Sequence, residues 1–273
     1  LAINPAYAGS HEALSVTAFA RKQWLNIEGA PLSASFTGHS SIKHEKMGLG
    51  LILSNDNISI FNQTTLSAMY SYRIHLSEKN IIAMGLQAGF NNYTVRYSQL
   101  TSKTANDPTL PDTDYSNWSP NFGTGIYFYN QKFYAGVSVP YLASKIIKTR
   151  YVAYQLEQKN NYFLTTGYVF KVSSDLKFKP SVLLRYISGN PMQADLNANL
   201  LFREVLWAGI SYRTSKSLVF LLQANVTDQL RLGYSFDASI GKTPSFNNTG
   251  SHEVMVNYLF SFTKTKVDNP RYF

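Results

Sequence analysis

The side chains with the right types for chemistry are few and poorly spaced for it. His44-Glu45 and His252-Glu253 each place an imidazole beside a carboxylate, as a metalloprotease helix does, but neither has a second histidine four residues on and both sit in strand-rich sequence. His39 and His75 fall at positions expected to face the inside of a sheet, where nearby serines and an aspartate would permit a hydrolase. No nucleophile elbow or acidic pair accompanies them, and a satisfied polar lining is the simpler reading. Gly123 and Gly125 lie within strand alternation with no helix after them. They are therefore read as room for Tyr127 and Tyr129 or as a strand bend, not as a phosphate loop. Lys177, Lys179 and Arg185 share one strand face opposite Asp195, which reads as a solvated charge network rather than an anion-selective constriction. Cysteine is absent, which removes thiolate metal sites, disulfides and cysteine nucleophiles together. The chain is accordingly expected to be no enzyme and to carry no metal and no cofactor.

The elements that must position these residues are strands. Apolar and polar residues alternate with period two, as in Leu14, Val16, Ala18 and Ala20 interleaved with Ser15, Thr17 and Phe19. Another example sets Met192, Ala194, Leu196, Ala198, Leu200 and Phe202 against Gln193, Asp195, Asn197 and Asn199. About fourteen such segments follow one another, several of them with the nine to eleven residues that a tilted strand needs to cross a bilayer core. Among them are Thr64 to His75, Ile81 to Phe90 and Phe122 to Tyr129. The connections alternate in length: short ones at 76–80, 130–132, 173–175 and 227–229, and longer ones at 25–31, 54–63, 91–121, 141–161 and 237–251. Short turns on one rim and long loops on the other, with tyrosine and phenylalanine near strand ends, are features of a transmembrane antiparallel up-and-down β-barrel of about 14 strands with periplasmic termini. A soluble sandwich also alternates, but it closes around an apolar interior and has no need of the loop alternation. The expected organisation is a periplasmic N-terminal segment over 1–13, a barrel over 14–262 and a periplasmic tail over 263–273.

Composition agrees with that architecture without demanding it. No run approaches the ~18 consecutive apolar residues of a membrane helix, and the mean hydropathy of -0.17 suits a barrel, in which only alternate residues meet lipid. The 273 residues carry a formal charge of +9, but the basic residues are scattered, so nucleic acid is not an expected partner. The chain begins at Leu1 without Met and is read as the mature form of a longer product.

Three segments exceed strand and turn chemistry: Asn4-Pro5-Ala6-Tyr7-Ala8-Gly9; Arg21-Lys22-Gln23-Trp24 followed by Glu28-Gly29-Ala30-Pro31; and the ending Pro270-Arg271-Tyr272-Phe273. With Gly209 to Arg213, Gly233 to Asp237 and Gly250-Ser251-His252-Glu253 they form an ordered set in which the chain resembles the PorP/SprF family of type IX secretion system membrane proteins. The resemblance departs at Phe236, where the family often has Tyr, and in the long connections at 91–121 and 141–161, which carry no family motif. It implies an outer-membrane barrel of Bacteroidota that supports export or surface anchoring of a cognate protein, such as a gliding adhesin. The implied partners are a secreted protein with a type IX C-terminal signal domain, periplasmic lipoproteins or ring components, and the lipid and lipopolysaccharide of the membrane. Trp24 and Arg21 are expected at the outer rim of the first strand. The segment Asn4 to Gly9 is expected either to pack into the barrel mouth or to dock a periplasmic partner. A passive channel or hydrophobic-compound transporter is the competing reading.

Overall fold

Period-two alternation with an apolar set on one side can be satisfied in lipid only if every backbone N–H and C=O is paired, which requires a closed sheet. The structure, a computed structural model, describes residues 1–11, 13–42, 46–100, 113–142, 145–148, 155–240 and 250–260. It is a closed antiparallel 14-strand barrel. The staves are β1 (Leu14–Lys22), β2 (Leu32–Ile42), β3 (Met47–Ile58), β4 (Phe61–His75), β5 (Ile81–Val95), β6 (Tyr115–Tyr129) and β7 (Phe133–Tyr141) in the first half. The short strands β8 (Lys145–Lys148) and β9 (Gln155–Gln158) pair only with each other, as a separate two-stranded sheet. The barrel resumes with β10 (Asn161–Tyr168), continued past Val169 by β11 (Phe170–Lys171), then β12 (Leu176–Ile187), β13 (Gln193–Phe202), β14 (Leu206–Arg213), β15 (Ser217–Asn225), β16 (Leu230–Ser239) and β17 (Ser251–Phe260). Each stave pairs with its sequence neighbour, and β1 closes the cylinder on β17, from Leu14 opposite Phe260 to Lys22 opposite His252.

The alternation is resolved as the sequence implies, greasy side out. Phe36, Leu49, Leu51, Leu53, Leu66, Leu86, Ile126, Leu196, Leu222 and Val256 are exposed on the outer surface. The buried positions between them carry Ser67, Ser71, Arg73, Gln87, Asn121, Asp195 and Asp237, which line the interior. That interior is a polar lumen, the opposite of a sandwich core. All turns at one rim are short, and β1 begins and β17 ends at this same rim.

The strands on one side are longer than the alternation suggests. Instead of a long connection between Ser54 and Gln63, β3 runs to Ile58 and β4 starts at Phe61, leaving a two-residue turn in which Ser59 has φ of 54°. Likewise β5 runs on to Val95 and β6 starts at Tyr115, so that Asn91 to Val95 pair with Ser119 to Tyr115 at the two ends of the stretch expected to be loop. The reason is that these extensions carry polar residues on both faces, so the period-two signal vanishes while the pairing goes on. Asn55 bonds Asn62 at 3.1 Å and Thr64 at 2.8 Å across β3–β4, and Asn92 bonds Ser116 at 2.9 Å across β5–β6. These cross-strand side-chain bonds hold the hairpins beyond the apolar belt.

Candidate functional site

The first ten residues lie inside the barrel, against the inner wall made by β2 to β7. Pro5 to Tyr7 form one 3-10 turn; Asn4 caps it, its Oδ1 accepting from the Ala6 N–H at 2.9 Å. The same side chain turns its amide nitrogen to the wall, where Nδ2 donates to the carbonyls of Ile126 at 3.0 Å and Val137 at 3.4 Å. Asparagine suits this place because one carboxamide supplies an acceptor to its own turn and donors to foreign strands. Further along, Ser138 Oγ donates to the Ile3 carbonyl at 2.7 Å and Ser71 Oγ to the Ala8 carbonyl at 2.6 Å. The Gly9 N–H donates to His39 Nδ1 at 3.1 Å, so that nitrogen carries no proton, and Arg73 Nη1 donates to the Gly9 carbonyl. The N–H groups of Ala6, Tyr7, Ala8 and Ser10 bond within the segment, while the Asn4 amide, the Ile3 and Ala8 carbonyls and both main-chain groups of Gly9 find partners on strands distant in sequence.

The wall is shaped to receive it. A Cβ on Gly85 would lie 2.2 Å from the Ala6 nitrogen, and one on Gly125 would lie 2.2 Å from Asn4 Oδ1. Gly125 therefore makes room for the Asn4 carboxamide, where the sequence suggested room for the tyrosines. Tyr7 fills the remaining space with edge contacts to His39 at 5.4 Å and Tyr127 at 5.7 Å between ring centroids. Leu1 and Ala8 pack beside Ile52 and Met69. A cavity of about 190 Å³ remains next to this segment, lined by Ala2, Phe19, Ile52, Ser67, Gln87 and Tyr141 among others.

A second cluster gathers where β1, β13, β14, β16 and β17 reach the opposite rim. Arg213 bridges Asp195, Nε to Oδ1 at 3.1 Å, and Asp237, Nη1 to Oδ2 at 3.2 Å. Arg21 bridges Asp237 at 2.8 Å and Glu253 at 3.7 Å. Ser217 Oγ also donates to Asp237. Alternating charges on five staves thus form one lattice, and Arg21, Gln23, Arg185, Asp195 and Arg213 line a polar cavity of about 380 Å³ beside it. Asp195 is therefore engaged by Arg213; of the three cations on the neighbouring strand, Lys177 pairs with Glu204, Lys179 sits 4.7 Å over the Trp207 ring and Arg185 bonds Asn161 at 3.2 Å.

The structure separates the motif residues into three places. Asn4, Pro5, Ala6 and Tyr7 lie in the lumen. Arg21 sits at the long-connection rim with its side chain turned inward, because it shares the parity of Ser15, Thr17 and Phe19 on β1, and it pairs there with the carboxylates of Asp237 and Glu253. Gln23, Trp24, Glu28, Gly29 and Pro31 form the loop after β1, closed by Gln23 N–H on the Pro31 carbonyl at 2.9 Å and tied to the β3–β4 turn by Ser59 N–H on the Gly29 carbonyl at 2.9 Å. Trp24 there is exposed, with φ of 43°. His252 faces the outside against Phe236 and bonds the Tyr234 hydroxyl at 2.6 Å, so it and Glu253 occupy opposite faces of β17 and cannot converge on one ion. His39 serves the N-terminal segment, while His75 ends β4 at the exposed short-turn rim. His44-Glu45 and Pro270, Arg271, Tyr272 and Phe273 lie outside the described residues. Sequence reasoning missed Ser71, Arg73 and Ser138 as receivers of the N-terminal segment, and only the isolated charge of Arg73 among neutral neighbours hinted at a task.

The sequence model for the type IX secretion system membrane protein PorP/SprF matches residues 1–258, from the luminal segment to the closing strand. The chain belongs to the PorP/SprF family. It is an outer-membrane component of type IX secretion. No curated protein sequence matches it. Among solved structures it is similar to the Acinetobacter baumannii outer membrane protein Omp33, at 9% identity over 92% of this chain and 100% of that one, with a TM-score of 0.52. It is also similar to the CymD monoaromatic hydrocarbon channel, at 10% identity, 95% and 91% coverage and a TM-score of 0.57. The Ralstonia pickettii toluene transporter TbuX resembles it at 9% identity, 95% and 92% coverage and a TM-score of 0.55. At such identities these likenesses establish the barrel fold that this PorP/SprF protein shares with them, and nothing of its cargo.

Proposed function

We propose that this PorP/SprF barrel is a binding protein rather than a conduit or an enzyme. It holds a cognate type IX substrate, such as a gliding adhesin, for export or surface anchoring. The observation that carries this reading is the occupied lumen: the chain's own first ten residues are hydrogen-bonded to the wall that an open pore would leave for solute. In this reading the rim with the long connections faces outward and engages the secreted protein. The short-turn rim, where β1 begins and β17 ends, faces periplasmic lipoproteins or ring components of the secretion machine. The likeness to a hydrocarbon channel and a toluene transporter supports the competing reading of a passive conduit, but that likeness extends to fold alone.

Excision of residues 101–112 tests the proposal, because β5 and β6 stay paired up to Val95 and Tyr115 without them. The expected outcome is loss of one surface-displayed substrate while the barrel still inserts and resists heat in detergent gels. Unchanged display of every substrate in that strain, together with single-channel conductance typical of an open pore in the intact protein, would reverse the assignment.

A further inference from the structure

Because β6 outruns β7, the barrel carries a strand edge to which no described residue is paired. β6 pairs with β7 from Tyr129 opposite Tyr134 to Thr124 opposite Val139, and among the described residues the Leu142 N–H on the Phe122 carbonyl is the last bond on that side. On its other side β6 pairs with β5 all the way to Tyr115. In an antiparallel strand, successive residues point their N–H and C=O to opposite neighbours. Phe122 points its carbonyl toward β7, so Pro120, Trp118 and Ser116 point their main-chain groups the same way, where no described strand pairs with them; the Pro120 carbonyl accepts from Ser119 Oγ at 3.5 Å. Pro120 contributes a carbonyl only; Trp118 and Ser116 contribute a donor and an acceptor each.

The outer face shows where this edge stands relative to lipid. Pro120 lies in a row with Phe90, Leu66, Leu53 and Phe36, the upper border of the apolar belt. One row beyond, Trp118 aligns with Asn92, Thr64 and Asn55. Pairing on the β7 side therefore runs through the belt, where an open edge would be prohibitive, and stops at its upper border. Trp118 is 61% exposed beside the free edge, a large apolar side chain at a membrane-water boundary. The nearest strands in sequence, β8 and β9, are paired to each other and do not add to this edge.

We propose that the β6 edge from Ser116 to Pro120 receives an extended segment of the secreted protein as an added strand. Main-chain hydrogen bonds to Trp118 and Ser116 supply the attachment, and an apolar residue of the incoming segment packs on the Trp118 ring. Donors and acceptors repeating along a strand select an extended polypeptide over a sugar or a lipid headgroup. The inference rests on the reading that the barrel binds an exported protein and names the surface that does so.

The test compares a deletion strain with strains producing the full chain as wild type, Trp118→Pro, Ser116→Pro and Trp118→Val, the readout being surface-exposed proteins released by protease shaving and quantified by mass spectrometry. Either proline removes only an outward N–H and leaves the β5 ladder intact, and heat-modifiable mobility confirms the folded barrel. Whichever proline variant folds should lower display of the substrate lost in the deletion strain by about tenfold or more, because an added strand this short depends on each main-chain bond. Trp118→Val should retain most of it. Wild-type display in a folded proline variant overturns the proposal, as does equal loss in Trp118→Val, which would make the contact a side-chain one. A change of oligomeric size in the proline variants would assign the edge to a second copy and overturns it too. If the deletion strain itself displays every substrate normally, the binding reading fails rather than the surface.

Discussion

Asn4 satisfies a turn of its own and two carbonyls of strands more than a hundred residues away, so the N-terminal segment is held by individually replaceable contacts. The sequence marked Asn4 to Gly9 as a motif but not its destination, because the receivers, Ser71, Arg73 and Ser138, look like ordinary lumen lining until the fold brings them to it. Arg21 is the converse case: its parity with Ser15 and Thr17 already pointed inward, and the neighbouring Trp24 drew attention to the rim. Gly85→Val places methyl groups where the Ala6 nitrogen stands and should expel the segment. A cysteine at Ala6, unreactive to maleimide in the wild-type background, should then label readily, and continued protection would show that the wall is not the receptor described. At the other rim, Arg21→Gln leaves Asp237 to Arg213 and the Ser217 hydroxyl and takes from Glu253 its ion pair with Arg21. Asp237 is buried and Arg21 only slightly exposed, so the change should lower unfolding stability by about 1–3 kcal/mol in urea titrations. Asp237→Asn should do the same, and additive losses in the double variant would argue against direct coupling.

At the scale of elements, strands were legible wherever one side meets lipid and the other meets water, because that difference is what writes the period of two. Fourteen staves and their order follow from it. The ends of β3, β4, β5 and β6 were not legible, since beyond the belt both faces meet water and residues such as Asn55, Asn62 and Asn92 carry no polarity contrast. What keeps them strands is pairing to a long neighbour and the amide bonds between outward side chains. Cysteines at Asn55 and Asn62 should accordingly react with a membrane-impermeant maleimide, and a fluorophore on a cysteine at Leu51 should be quenched by lipid-borne quenchers. Labelling of the first pair in intact cells places the long-connection rim outside; labelling only after the outer membrane is opened would invert the proposed orientation.

For the whole molecule, the lumen is divided between two kinds of filling that behave differently when removed. The charge lattice ties β1 to β13, β14, β16 and β17 through side chains that are part of the wall, so its loss weakens the cylinder itself. The N-terminal segment is covalently continuous with the wall only at β1, and its bonds to β2 through β7 add no stave to the sheet, whose closure through β1 and β17 is complete without it. Deleting residues 1–11 should therefore leave insertion and heat-modifiable migration intact while uncovering Ser71, Arg73, Ser138 and the glycine-lined wall. Purified protein in planar bilayers should rise from little or no conductance to a steady ohmic conductance, and Gly85→Val should move partway in the same direction. If the deleted form conducts no better than the intact chain, the charge lattice or the connections close the pore, and the segment is wall packing rather than its stopper. If the intact chain already conducts steadily, neither filling seals the lumen, and the conduit reading gains over the binding one.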